Sequence, residues 1–366
     1  MFHRRQVLAG SMGAGLLAFA SGCATAAAAP PTRDILRQTI GEGEQGIGMI
    51  AVLVDEGGAH MTTYGSSGAP GVALNGDTVF EIGSITKVMT TLMLADMAGR
   101  GEVAFDDPVA KYLPPSVTLH ERGRPITLLD LATYTSGLPN QPGNFRPPLS
   151  SYTVDRLFEF LSAYVPNVEP GAHYEYANLG FGLLGVALAR RAGKSFEELL
   201  IERVCDPLGL DHTRITLTDD MRRGLAQSHD RDRKPTPLLD LPASLQGAGA
   251  VRSNARDLTV FLKACMGLER SPLTASFARL LETRRRTTLA GTDVGLGWFV
   301  SSNQSDEIVW KSGVTDGFKA FVAFSKRSRR GALVLSNVLW KPIDDDLGMK
   351  LIDPDFDPGD LNLLYR

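Results

Sequence analysis

Cysteine is scarce in this chain, with three residues in 366, too few for a disulfide framework. An excess of one charge is missing too. The formal net charge is −3, so no basic field awaits nucleic acid, and no nucleic-acid partner is expected. Beyond the first thirty residues no apolar run reaches the roughly 18 needed to span a bilayer. His-x-His, His-Glu-x-x-His and Cys-x-x-Cys do not occur, so no metal-ligand set is visible. Gly-x-Ser-x-Gly is absent, which argues against an α/β-hydrolase nucleophile elbow. Gly41-x-Gly43-x-x-Gly46 matches a dinucleotide fingerprint in letters. It follows a helix-like segment and precedes a strand, the reverse of the required order. No cofactor is therefore expected. The histidines are scattered, and one such as His173 reads as a packing or surface residue. What remains is ordinary globular composition, 43% hydrophobic and 22% charged, which excludes a disordered chain.

Residues 1–29 read as an export signal. Arg4-Arg5 precede Gln6-Val7-Leu8 and a Gly/Ala-rich apolar run to Ala20, a charged region followed by a hydrophobic one with twin-arginine character. Ala20-Ser21-Gly22-Cys23 resembles a bacterial lipobox, in which Cys23 would carry a lipid anchor. Ala24-Thr25-Ala26 offers ordinary cleavage instead. Either exit predicts an exported, periplasmic protein, tethered through Cys23 or soluble. Cys205 and Cys265 remain, and read as two buried thiols on separate helices rather than as a pair.

Residues 47–54 and 59–64 predict a hairpin turning at Asp55-Glu56-Gly57-Gly58. Phe80-Glu81-Ile82 is a short strand running into Gly83-Ser84. Ile85, Val88, Met89, Leu92 and Ala95 then recur at helical spacing until Gly99 and Gly101. The middle of the chain reads helical. Thr127 caps 128–134, 154–163 follows, Asn178 caps 179–192, Ser195 with Glu198 boxes 196–204, and Ser253 caps a helix through Met266. Strands return at 294–301, 307–311, 318–324 and 331–337, with a closing helix near 343–352. This order predicts an α+β domain over 30–366. Sheet regions at 30–83 and 290–366 meet in one antiparallel sheet, flanked by helices. A mostly helical inserted region spans 84–289, and the site lies between sheet and insertion.

Three motifs carry chemistry, and each occurs once. Ser84-Ile85-Thr86-Lys87 sits at a strand-to-helix junction. Residues three apart share a helix face, so the Lys87 ammonium can reach the Ser84 hydroxyl. The helix N-terminus adds free N–H groups and positive dipole. A serine nucleophile needs both proton removal and a place for negative charge. Tyr176-Ala177-Asn178 lies in a loop before an apolar helix. Its phenol serves as a base only if neighbouring cations lower its pKa. Lys311-Ser312-Gly313 is expected at the end of a strand, where a cation and a hydroxyl can hold a substrate carboxylate and Gly313 admits ligand backbone. Each motif alone is commonplace. Their joint order and placement point to a serine acyl-enzyme hydrolase.

On these motifs the chain resembles the serine β-lactamase and penicillin-binding protein superfamily, from about Gly46 to Asn337. It is most similar to the class C branch and the related periplasmic D-alanyl-D-alanine carboxypeptidases. The stretch Ile126-Thr127-Leu128-Leu129-Asp130-Leu131-Ala132-Thr133-Tyr134-Thr135-Ser136-Gly137-Leu138-Pro139 belongs to that resemblance, as do Gly247-Ala248-Gly249-Ala250 and Leu296-Gly297-Trp298. It implies a serine β-lactamase/transpeptidase-like fold and a small-molecule or peptidoglycan-peptide substrate. It implies Ser84 as the acylated nucleophile, Lys87 and Tyr176 sharing the base role, and Asn178 orienting Lys87 and the substrate amide. Lys311, Ser312 and Gly313 would hold the substrate carboxylate. Val314 would give the second oxyanion N–H beside that of Ser84, and Gln141 would contact the acyl side chain. Departures exist. The third motif is Lys-Ser-Gly, Asp316-Gly317 stands where Gly-Gly is common, and Lys341-Pro342 and an acidic run follow the last strand. Lys-Ser-Gly keeps the hydroxyl, whereas the segment after the last strand speaks against efficient β-lactam hydrolysis more than against acyl-enzyme chemistry. A carboxylesterase on the same fold and a slow-acylating sensor are the competing readings.

Overall fold

The strands of the main sheet come from the two ends of the chain, as the pattern predicts. The computed structural model describes residues 32–41, 46–303, 306–339, 346–357, 359 and 361–365. The expected export signal with Cys23, and Lys341-Pro342, lie outside them. After helix α1 (Thr32–Ile40), strands β1 (Gly48–Asp55) and β2 (Gly58–Gly65) form the hairpin, with Asp55 opposite Gly58 across a Glu56-Gly57 turn. Short strands β3 (Val79–Glu81) and β4 (Arg252–Asn254) pair apart from the main sheet. Strands β5 (Arg285–Arg286), β6 (Thr292–Val294), β7 (Phe299–Ser302), β8 (Glu307–Val314), β9 (Lys319–Ser325) and β10 (Arg330–Ser336) complete it. Its order is β2-β1-β10-β9-β8-β7-β6-β5. Met49 pairs with Ser336, so the first strand seats on the last. The fold is α+β, an antiparallel sheet with flanking helices.

Unbroken apolar runs mark strands covered on both faces, and β9 and β10 are buried almost throughout. Register shows which face each helix covers. A Cβ on Gly331 would meet Leu262 and Met266 of the helix Ala255–Met266, and one on Gly348 would meet the Phe321 ring. Gly331 pairs with Phe324. Phe321 and Phe324, an odd number of residues apart, point to opposite faces. The helix Ala255–Met266 and the helix Asp346–Ile352 therefore cover opposite faces of the sheet.

Several local expectations shift. The helix after Thr127, α2 onward in the insertion being counted from Thr86–Gly99 (α2), is α3 (Leu128–Ala132). It stops early because Tyr134 turns left-handed at φ 56°. Helix α4 (Val154–Ala163) falls as expected. Helix α5 is Asn178–Ala192, and Asn178 is its first residue rather than its cap. The Asn140 side chain caps it instead, Oδ1 accepting from the Asn178 N–H at 2.9 Å. Helix α6 (Phe196–Leu200) continues as a π-helical turn, Ile201–Cys205. Asn254, not Ser253, caps Ala255–Met266, accepting from the Asp257 N–H at 2.8 Å. Ser253 lies in β4, with its hydroxyl spent on Thr213 at 2.8 Å. The single strand expected at 294–301 breaks where Leu296 and Gly297 fold onto α2 and α3. The Leu296 carbonyl accepts from Thr91 Oγ1 at 2.9 Å, and the Gly297 N–H donates to the Ala132 carbonyl at 3.0 Å. Cys205 and Cys265 are both free thiols. Burial pushes Cys205 up to about 12, which leaves it inert at neutral pH.

Candidate active site

That break in the strand shapes the site. Pairing between β7 and β8 begins at Phe299 opposite Trp310. Lys311, Ser312, Gly313 and Val314 pair within the sheet with β9 alone. Gly83 and Ser84 pack closely against Gly313 and Val314. Lys-Ser-Gly thus stands inside β8, not at its end. The contact requires glycine on both sides. A Cβ on Gly313 would lie 1.9 Å from the Ile82 carbonyl oxygen and 2.9 Å from the Ser84 nitrogen. One on Gly83, at φ +48°, would lie 2.7 Å from the Val314 nitrogen.

Ser84 sits in the single 3₁₀ turn Gly83–Ile85 that leads into α2. Helix α2 is buried nearly all round, so it is a core helix, and it carries Lys87 inward with it. The Lys87 side chain is 0% exposed. Its Nζ lies 2.8 Å from Ser84 Oγ and donates to Asn178 Oδ1 at 2.8 Å and the Ala248 carbonyl at 2.7 Å. The last acceptor belongs to the turn Gln246–Gly249. Thr90 Oγ1 of α2 donates to the Gly247 carbonyl at 2.8 Å and fixes that turn. Burial first, and the Lys311 cation second, hold Lys87 well below the usual lysine range.

Tyr176 reaches the same serine, its hydroxyl donating to Ser84 Oγ at 2.9 Å. Its ring stacks on Tyr134 at 4.8 Å between centroids. Two lysine Nζ atoms face it, that of Lys87 at 5.1 Å and that of Lys311 at 4.8 Å from the ring centroid. Lys311 also lies 4.4 Å from the Phe299 centroid and 5.6 Å from that of Tyr134. The structure therefore gathers the three motifs around one hydroxyl. Ser312 Oγ is 2.8 Å from Tyr365 Oη, near the end of the chain.

A cavity of about 250 Å³ opens on one side of Ser84, and Gln141, Asn178, Val314 and Asp316 are among its lining residues. Phe145, Leu149, Leu239, Leu241 and Leu245 make that wall apolar. Buried Glu81 ties it to β3, its carboxylate accepting from the Leu239 N–H at 2.8 Å and Arg252 at 3.4 Å. Among the described residues no cluster of His, Cys, Asp or Glu could hold a metal ion. Exposed His173 stands apart from the motifs. Sequence reasoning assigned no role to Asn140, the Ala248 carbonyl or Tyr365. A carbonyl leaves no trace in residue type, and the other two belong to no motif.

A serine hydroxyl 2.8 Å from a buried amine and 2.9 Å from a phenol, beside a strand segment that pairs within the sheet on one edge alone, can be acylated and deacylated. Comparison with known proteins agrees. Residues 36–347 match the Beta-lactamase family. The chain is 32% identical to the D-alanyl-D-alanine-carboxypeptidase/endopeptidase AmpH of Escherichia coli K12, covering 80% of each. It is 28% identical to a beta-lactamase of the same strain, over 88% of this chain and 93% of that one. A Yersinia pestis beta-lactamase/D-alanine carboxypeptidase superposes with TM-score 0.71 at 27% identity, covering 84% and 92%. The D-alanine carboxypeptidase AmpC of Burkholderia cenocepacia gives 0.70 at 27%, covering 81% and 90%.

Proposed function

The chain belongs to the Beta-lactamase family, and on that premise we propose that Ser84 is the acylated nucleophile of a D-alanyl-D-alanine carboxypeptidase that also reacts with β-lactams. The surroundings of Lys87 carry this reading. A neutral amine has two N–H bonds and one lone pair. Asn178 Oδ1 and the Ala248 carbonyl can only accept, so they take both hydrogens. The lone pair is then left facing Ser84 Oγ at 2.8 Å. Burial and the Lys311 cation, which hold Lys87 well below its usual range, favour that neutral form.

The Ser84 proton passes to Lys87 Nζ as Oγ bonds to the substrate carbonyl carbon. The N–H groups of Ser84 and Val314, held together by the glycine contact, receive the oxyanion. The C–N bond breaks as the leaving nitrogen takes a proton from Tyr176 Oη, which recovers one from the Lys87 ammonium. Water, deprotonated by the same pair, then hydrolyses the ester. Lys311 and Ser312 hold the carboxylate of the leaving residue, Gly313 allows its close approach, and Gln141 meets the acyl side chain. The names of the relatives support a peptidase over an esterase or a sensor. Fluorescent penicillin should label the wild type and not Ser84→Ala; labelling that survives the substitution would end this mechanism.

The reading includes export, supported by the Arg4-Arg5 segment, with any tether running through Cys23. Two or more acyl chains are needed for stable anchoring. A tethered wild type should become soluble in Cys23→Ser.

A further inference from the structure

The cavity beside Ser84 is open, whereas the Ser312 side is walled by the segment Leu361–Tyr365. That segment forms one 3₁₀ turn. Leu364 is fully buried. Its carbonyl accepts from the Tyr174 hydroxyl at 2.6 Å, and the Leu363 carbonyl accepts from Thr288 Oγ1. A turn with two backbone anchors and a buried leucine is fixed, so the next side chain is aimed. Tyr365 packs its ring edge-on against Tyr176, 5.0 Å between centroids, and against Phe299 at 6.2 Å. Its hydroxyl meets Ser312 Oγ at 2.8 Å. Yet Tyr365 remains 39% exposed, beside Ser312 and Tyr176 of the site.

We propose that Tyr365 is a specificity-determining residue that closes the leaving-group end of the site, so that the chain cleaves a terminal residue and rejects one that continues. The inference rests on the peptidase reading above. The leaving residue's carboxylate lands among the Lys311 ammonium and the hydroxyls of Ser312 and Tyr365. The Tyr365 ring is the wall behind it. A free carboxylate ends there. A peptide bond in its place would push the following residue into the ring and bring no negative charge to the ammonium. The two parts of the side chain thus have separate effects, the ring excluding length and the hydroxyl recognising charge.

The test compares kcat/KM for an acyl-D-Ala–D-Ala peptide and for the same peptide extended by one glycine. In wild type the terminal peptide should be strongly preferred. Tyr365→Ala should raise kcat/KM for the extended peptide by about tenfold or more, the lower range for relieving a steric clash in a pocket, and so narrow the preference further than loss of the hydroxyl alone. Tyr365→Phe keeps the wall and loses one donor to a carboxylate. It should slow the terminal peptide about tenfold and still refuse the extended one. An unchanged ratio in Tyr365→Ala, or a Phe variant that admits the extended peptide as Ala does, overturns the proposal. Labelling of Ser84 by fluorescent penicillin is followed in each variant. A wild type that neither labels nor cleaves the terminal peptide defeats the peptidase reading itself. A labelled, active wild type with an unmoved ratio defeats the Tyr365 assignment alone. Thermal unfolding of the variants separates both outcomes from loss of fold.

Discussion

Lys87 and Lys311 are both 0% exposed, both near Tyr176, and surrounded very differently. Lys87 touches three oxygens at 2.7–2.8 Å. Lys311 lies within 5.6 Å of three aromatic centroids. Oxygen acceptors fix the direction of an amine's hydrogens, and so of its lone pair. Ring faces attract a cation without fixing its direction. In the proposed mechanism one lysine exchanges a proton and the other presents a charge. Their proximity links the two roles, because the Lys311 cation is the second cause depressing Lys87.

The largest expected break in this contrast comes from Lys87→Ala, which removes the base. Acylation should slow by about 10²–10⁴, measured as the rate of labelling. Lys87 and Tyr176 meet at one hydroxyl, so their effects should not multiply. Lys87→Ala with Tyr176→Phe should cost little more than the worse single change. Fully multiplicative losses would show two independent devices.

Lys311→Ala should cut kcat/KM roughly 10- to 150-fold for a D-Ala–D-Ala peptide and for a cephalosporin. That is one charge-assisted hydrogen bond of about 1.5–3 kcal/mol. A neutral ester such as p-nitrophenyl butyrate should lose much less. Equal losses on all three would make Lys311 part of the proton relay and erase the contrast drawn here.

The smallest effect is expected at Asn140. Its side chain caps α5 at the Asn178 N–H, in the lining of the cavity. Asn140→Ala should lower stability by about 1 kcal/mol, read from denaturant unfolding. Any slowing of acylation should stay well below that of Lys87→Ala. A loss as large would mean that positioning Asn178 matters more than the direct contacts of Lys87.

Pattern made the sheet legible. Residues 47–54 and 331–337 are apolar without alternation, as strands covered on both faces must be, and they pair as expected. The motifs were legible because side-chain chemistry is written in residue type. What stayed hidden is what residue type does not encode. Asn178 suits a cap or a lysine contact equally, and tertiary packing chose the second. Ser253 and Asn254 are both good caps, and the helix starts at Ala255, directly after Asn254, while the Ser253 hydroxyl meets Thr213. The Ala248 carbonyl belongs to the backbone. Tyr365 lies 53 residues from Ser312, a distance that no local spacing rule spans.

The central claim is that Lys87 acts as a neutral amine. Its folded pKa lies below the ordinary 10.5, so the unfolded chain holds that proton more tightly. Between the two values stability therefore rises with pH. The base-competent form likewise appears as pH rises through the folded value and disappears as pH falls through it. The most direct measurement is the rate of Ser84 acylation by fluorescent penicillin across pH, in wild type and in Lys87→Ala. Wild type should show a limb rising with pH, with its midpoint below 10.5, and the variant should lack it. The same limb in Lys87→Ala would assign the titration to another group and contradict the account.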